Sequence, residues 1–208
     1  MNNWRLTVPV ALLFWLVPAF AVNDNVHAAL ESPTDVVRNT IGEVIRILKD
    51  DELKTPKRLP ARRKLLESVI AAHFDYGEMS KRTLATHWKP LSETERKEFV
   101  ELFKAFLSDR YAAKIEGYSG EQVLYLSERL SDGYAEVRTK LTSSKLEVPM
   151  DYRLIAREGT WYAYDVIVDG VSLVKNYRSQ FTTIIADSSF QELLRRLRER
   201  TADEKAKA

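Results

Sequence analysis

The chain has 208 residues, 45% of them hydrophobic and 30% charged, which suits a globular protein with one sizeable core. A formal charge of +2, from 32 basic and 30 acidic residues, argues against the concentrated basic face of a nucleic-acid binder. With no cysteine the fold has no disulfide and no thiolate metal site, and an acylated lipoprotein anchor is excluded.

Residues 1–28 read as a cleaved signal peptide. A short n-region, MNNWR, precedes an apolar run over 6–22, and VHAA places Val26 and Ala28 before a cleavage point. The run is at the lower limit for spanning a bilayer, is broken by Pro9 and Pro18, and is followed by polar NDN. Cleavage removes Arg5 and Asp24 and leaves the net charge unchanged. No later apolar run is long enough to span a membrane, so a soluble exported protein is expected, and a bacterial periplasm fits best.

Residues 29–200 are expected to form a single domain: mainly helical over 29–118, a sheet over 119–170, and C-terminal helices over 171–200. Ser32, Pro33 and Asp35 open the first helix, whose apolar face carries Val37, Ile41, Val44, Ile45 and Leu48. A second helix is predicted over about Arg62–Phe74, with Leu65, Leu66, Val69 and Ile70 inward, followed by a short helical piece with Met79 and Leu84. Ser92 and Glu95 form a capping box for the clearest helix, where Phe99, Leu102, Phe103, Phe106, Leu107 and Tyr111 recur at helical spacing.

From residue 122 the period changes to two. QVLYLSERL, GYAEVRTKLT, EVPMDYRLIARE and TWYAYDVIV read as four strands, joined by short links as an antiparallel meander. A helix after Gly170 carries Val174, Tyr177, Phe181, Ile184 and Ile185, and a last one carries Phe190, Leu193, Leu194 and Leu197. Residues 201–208 read as a frayed tail. The expected fold is α+β: a four-stranded antiparallel sheet covered on one face by helices.

Catalytic chemistry finds little support. His73 and His87 have no second ligand at metal-motif spacing, so neither a metal nor a cofactor is expected. Ser172 lacks the glycine two residues on that a nucleophile elbow needs, and suits a helix cap instead. Asp165 and Asp169, four apart on a strand, would sit about 13 Å apart, too far for paired-carboxylate hydrolysis. Asp165 alone is the one candidate base for a small α+β isomerase or hydrolase; a structural carboxylate is the competing role. Periodicity does not separate a packed core from a hollow one, so a binding protein and an interaction module with a solid core both stay open.

The segment WYAYDVIVDGVSLVKNYRSQF, with FDYGEMSKRTLATHWKPLSETERKEFVELFKAFLSDRYAAKIEGY upstream, resembles the MlaC-type, toluene-tolerance family of periplasmic phospholipid-binding proteins. Ala85 departs from that pattern, which has glycine after the leucine, and Asp169 stands where glutamate is common. The resemblance implies a non-enzymatic carrier, a monomer holding phospholipid acyl chains in an apolar cavity between sheet and helices. It also implies partners: an inner-membrane ABC transporter complex with its lipid-binding domain subunit, and an outer-membrane lipoprotein–porin complex, between which lipid passes to maintain outer-membrane lipid asymmetry. On that reading the lining is Phe103, Phe106, Leu107, Val148, Met150, Tyr152, Tyr164, Val166, Val168, Val171, Val174, Phe181 and Ile184. Asp169, Gly170, Ser172, Lys175 and Arg178 would form the mouth or meet a partner.

Overall fold

The computed structural model describes residues 31–144 and 146–207, so the expected signal peptide lies outside the described residues. Five strands, β1 (Gln122–Ser131), β2 (Tyr134–Thr142), β3 (Glu147–Arg157), β4 (Thr160–Val168) and β5 (Val171–Ser172), form an antiparallel meander in sequence order. The sequence predicts four. The fifth is a two-residue strand created by the turn at Asp169-Gly170, which folds the chain back so that Ser172 pairs with Ile167.

Three of the turns share one chemistry. Asp132-Gly133, Glu158-Gly159 and Asp169-Gly170 each place an acidic residue at φ 44°, 50° and 49°, followed by glycine at 78°, 80° and 76°. Positive φ at both central positions is the type I′ geometry whose twist matches paired strands. The glycines are the positions where a side chain would cost most.

Strand pairing fixes the two faces. Ala135, Val137, Thr139 and Leu141 of β2 oppose Leu154, Tyr152, Met150 and Val148 of β3, and Val166 and Val168 of β4 oppose Tyr152 and Met150. A bulge then shifts the β3–β4 register, so that Ala163 opposes Leu154 and Trp161 opposes Ala156. The extra residue is Tyr164, which turns to the other face. The sequence reading took Tyr164 together with Val166 and Val168 as lining. The bulge corrects it: Trp161, Ala163, Val166 and Val168 all point inward.

Helix α1 (Pro33–Lys49) lies across this inner face. Ser32 Oγ accepts the Asp35 amide at 3.0 Å, and Glu128 of β1 accepts the Thr34 amide at 2.8 Å and its hydroxyl at 2.6 Å. Two otherwise unpaired amides are satisfied, and a carboxylate sits at the positive helix end. Val36 and Val37 then pack with Ala135, Val137, Leu154, Trp161 and Ala163.

Helix α2 (Leu59–Ala72) starts three residues before the predicted position. Arg62, Leu66 and Val69, at helical spacing, form its inward stripe toward Ile47 and Leu48 of α1. Leu65 therefore faces solvent, 45% exposed, against expectation. Helices α3 (Tyr76–Leu84), α4 (Glu93–Glu116), α5 (Leu173–Asp187) and α6 (Phe190–Lys207) build a second layer. The capping box at Ser92 and Glu95 forms as read, and α6 runs on to Lys207 through the residues expected to fray. The segment before α3 bridges to β4, with the Asp75 amide donating to Ala163 O and the Ala163 amide to His73 O, both at 2.9 Å. Among the described residues no helix is long and apolar enough to cross a membrane.

Candidate functional site

The apolar residues do not merge into one core. A helical cluster gathers Met79, Leu84, Phe99, Phe103, Leu107, Val174, Tyr177, Phe181, Leu193, Leu194 and Leu197 from α3 to α6. The other two clusters lie between α1 and the sheet, and between α1 and α2. A domain of this size ordinarily has one contiguous core. Here the sheet's helical neighbours are α1, α3 and α5, while α4 packs on α6 and α3.

The helical cluster is solid. Phe103 is 0% exposed and meets the rings of Phe99, Phe106, Tyr177 and Phe181, with centroids 5.3–6.5 Å apart. Burial, helped by the Tyr111 hydroxyl 3.4 Å away, pushes the Tyr177 phenol well above the usual tyrosine range. Of the lining expected from the sequence, Phe103, Phe106, Leu107, Val174, Phe181 and Ile184 sit in or against this cluster. Val171 is 56% exposed, in the short β5.

The inner face of the sheet differs. Leu141, Val148, Met150, Val166 and Val168 point the same way as Val137 and Leu154, yet none belongs to an apolar cluster, and each keeps accessible surface. Tyr152, between them, combines two properties. Burial pushes its phenol well above the usual range, while its ring is only half-buried by accessibility. Two surface hollows, of about 660 and 570 Å³, lie elsewhere. One is bordered by Lys81, Arg82, Trp88, Lys89, Arg96 and Tyr134, the other by residues around Gly120 and Ser143. The first is mixed and the second mainly polar, and neither touches these side chains. This end of the inner face is thus a strip of partly accessible apolar side chains outside the packed clusters, the candidate cleft.

The stretch from Tyr164 to Phe181 works as a joint between the two regions. Asp165, 1% exposed, accepts from the Ser172 hydroxyl at 2.6 Å and the Val174 amide at 3.0 Å, and pairs with Arg153 at 3.3 Å. Ser172 Oγ in turn accepts the Lys175 amide at 3.0 Å. Two unpaired amides of α5 are satisfied by groups on β4 and β5, and a carboxylate faces the helix's positive end. These partners tie Asp165 to the start of α5. Arg178 donates from Nε and Nη2 to Arg82 O at 2.9 and 2.6 Å, tying α5 to the C-terminal end of α3. Tyr164 lies under the Arg82 guanidinium at 4.2 Å and edge-on to Tyr134. Asp169, Gly170 and Lys175 are exposed, whereas Ser172 is buried.

Sequence reasoning did not assign Val36, Val37, Val137, Leu154, Trp161 and Ala163 to the walls around this cleft. Strand alternation carried the signal for the sheet residues, but only with the β4 bulge known does Trp161 share a face with Val166. Among the described residues no group of three histidine or acidic side chains is placed to hold a metal.

An open antiparallel sheet with a part-filled apolar face, joined to a solid helical layer, defines a small α+β domain. The MlaC protein family model matches residues 38–199, and the chain belongs to that family. The toluene tolerance protein ttg2D of Pseudomonas putida is 27% identical over 156 residues, 74% of this chain and 73% of that protein. The intermembrane phospholipid transport system binding protein MlaC of Haemophilus influenzae is 18% identical over 205 residues, covering 96% of this chain and 95% of the relative. A phospholipid-binding protein from Ralstonia solanacearum, solved with a phospholipid, superposes with a TM-score of 0.72 at 21% identity, covering 82% of this chain and 97% of that one. The likeness shows the fold.

Proposed function

We propose that this chain is a periplasmic carrier of glycerophospholipid, exported by the N-terminal segment, with the acyl chains against the inner face of the sheet and the head group in solvent. The observation that carries the reading is the set of half-accessible apolar side chains, Leu141, Val148, Met150, Val166 and Val168, outside every packed cluster. The names of the relatives support phospholipid as the ligand class and transport as the task. No reaction is proposed, since Asp165 serves as a structural carboxylate.

The energetics favour handing over rather than free release. Burying about 30 methylene groups at roughly 0.8 kcal/mol each gives on the order of 24 kcal/mol gross. That exceeds the practical ceiling of about 18–21 kcal/mol for net affinity, and ordering the lipid offsets only part of it. Release therefore calls for a partner that widens the cleft: an inner-membrane transporter complex on one side and an outer-membrane lipoprotein–porin complex on the other. The turn from Asp169 to Ser172, exposed at its tip and bonded to Asp165 at its base, is the lever such a partner would press.

The test is native mass spectrometry of the exported protein, followed by organic extraction and lipid analysis. Stoichiometric phospholipid is expected. A lipid-free mass that persists after incubation with phospholipid vesicles would contradict the reading.

A further inference from the structure

Tyr152 stands at the centre of the sheet, opposite Val137 on one side and Val166 on the other. On that face the neighbouring polar side chains are Tyr125, packed in the same cluster, and Thr139, whose hydroxyl is satisfied by Met150 O at 2.5 Å. Among the described residues the Tyr152 hydroxyl has no such oxygen or nitrogen. Its hydrogen-bond contact is the sulfur of Met150, two residues along the same strand, at 3.0 Å. A thioether is a weak acceptor, so this part-buried donor is held without a strong partner, which a phenylalanine of the same shape would not need. Burial also keeps the phenol protonated through the neutral range, so the group is a permanent donor.

The proposed carrier role, on which this step rests, narrows the acceptor. An acyl chain carries none along its length. Phosphate oxygens are charged and stay with water. The oxygens that enter an apolar cleft with the chains are the ester carbonyls joining them to glycerol. We infer that the Tyr152 hydroxyl donates a hydrogen bond to an ester carbonyl of the bound diacyl lipid, with the Met150 sulfur holding the donor when no ester is present. Tyr152 thereby sets the depth at which the chains begin and makes the cleft selective for ester over ether linkage.

The experiment is a competition between two vesicle-borne phosphatidylglycerols of the same chain length, one diacyl and one dialkyl ether, for the delipidated mature protein, read by native mass spectrometry. The wild type should favour the ester by about three- to ten-fold, the worth of one neutral hydrogen bond. Tyr152→Phe should load both lipids equally. A wild type without preference, or a Y152F protein that keeps it, overturns the inference while leaving the carrier reading intact. A wild type that takes up neither lipid overturns the carrier reading, and this inference with it. If Y152F folds poorly, the wild type loaded with lipid labelled with carbon-13 at the esters decides. A hydrogen-bonded carbonyl band in the infrared supports the contact, and its absence overturns it.

Discussion

Phe103 on α4 and Val166 on β4 are both apolar, both on regular elements and both read from the sequence as lining, and they come to different environments. Phe103 is enclosed by four aromatic rings and has no accessible surface. Val166 lies on a sheet face where its neighbours Met150 and Val168 are also half-accessible and outside any cluster. The contrast separates two uses of apolar surface. In the helical layer it is consumed by folding; on the inner face it is left for something else. On the proposed reading, the first region supplies rigidity and the second receives the lipid.

The contrast can be broken or sharpened by substitution. The largest effect is expected from Phe103→Ala, which opens a cavity in the solid cluster and should cost about 3–5 kcal/mol in urea unfolding of delipidated protein. Val166→Ala in the same assay should cost under about 1 kcal/mol, since the side chain is only partly removed from water. Equal losses at the two sites would erase the distinction. Asp165→Asn acts on the joint between the regions. It weakens the acceptor for the Ser172 hydroxyl and the Val174 amide and leaves Arg153 with Glu136, 3.6 Å away. A loss of about 1–3 kcal/mol is expected, with lipid content per folded molecule unchanged.

Ala85 runs the other way. It follows α3 with φ 49° and ψ −116°, a conformation that favours glycine. Ala85→Gly should raise stability by about 1 kcal/mol, relief of strain outweighing the added freedom of the unfolded chain. The smallest effect concerns pH. Hydrogen bonds from Arg195 and Arg196 pull the Glu192 carboxylate down from 4.5 to about 2. Its contribution to α6 is therefore complete above the ordinary glutamate range and is lost as pH falls through about 2. The group is exposed, so salt should screen the effect. Helical circular dichroism of wild type against Glu192→Gln across that range is the measurement, with the difference confined to the wild type's low-pH limb.

Local chemistry was legible in the sequence, and its assembly only in part. The Ser92–Glu95 capping box, the Ser32 cap and the alternation of β2 and β3 are written in neighbouring residues and appear as read. Leu65 was misjudged because both Leu65 and Leu66 fit a helical stripe, and the choice depends on where α1 lies. The bulge at Tyr164 goes with Asp165 reaching α5 and with the bridge from Ala163 back to His73 and Asp75, contacts that the strand's own alternation does not encode. Whether an apolar face is filled or left open is not a property of its own sequence at all. It depends on which helix reaches it, and α4, the clearest helix in the sequence, spends its rings on α5 and α6.

Cross-linking with a phospholipid whose acyl chain carries a diazirine tests the division most directly. The protein is loaded, irradiated, digested and mapped by mass spectrometry. Adducts should concentrate on β2, β3 and β4, at Leu141, Met150, Val166 and Val168, and spare Phe99, Phe103 and Phe181. Adducts spread through the helical cluster, with the inner face unlabelled, would contradict the account.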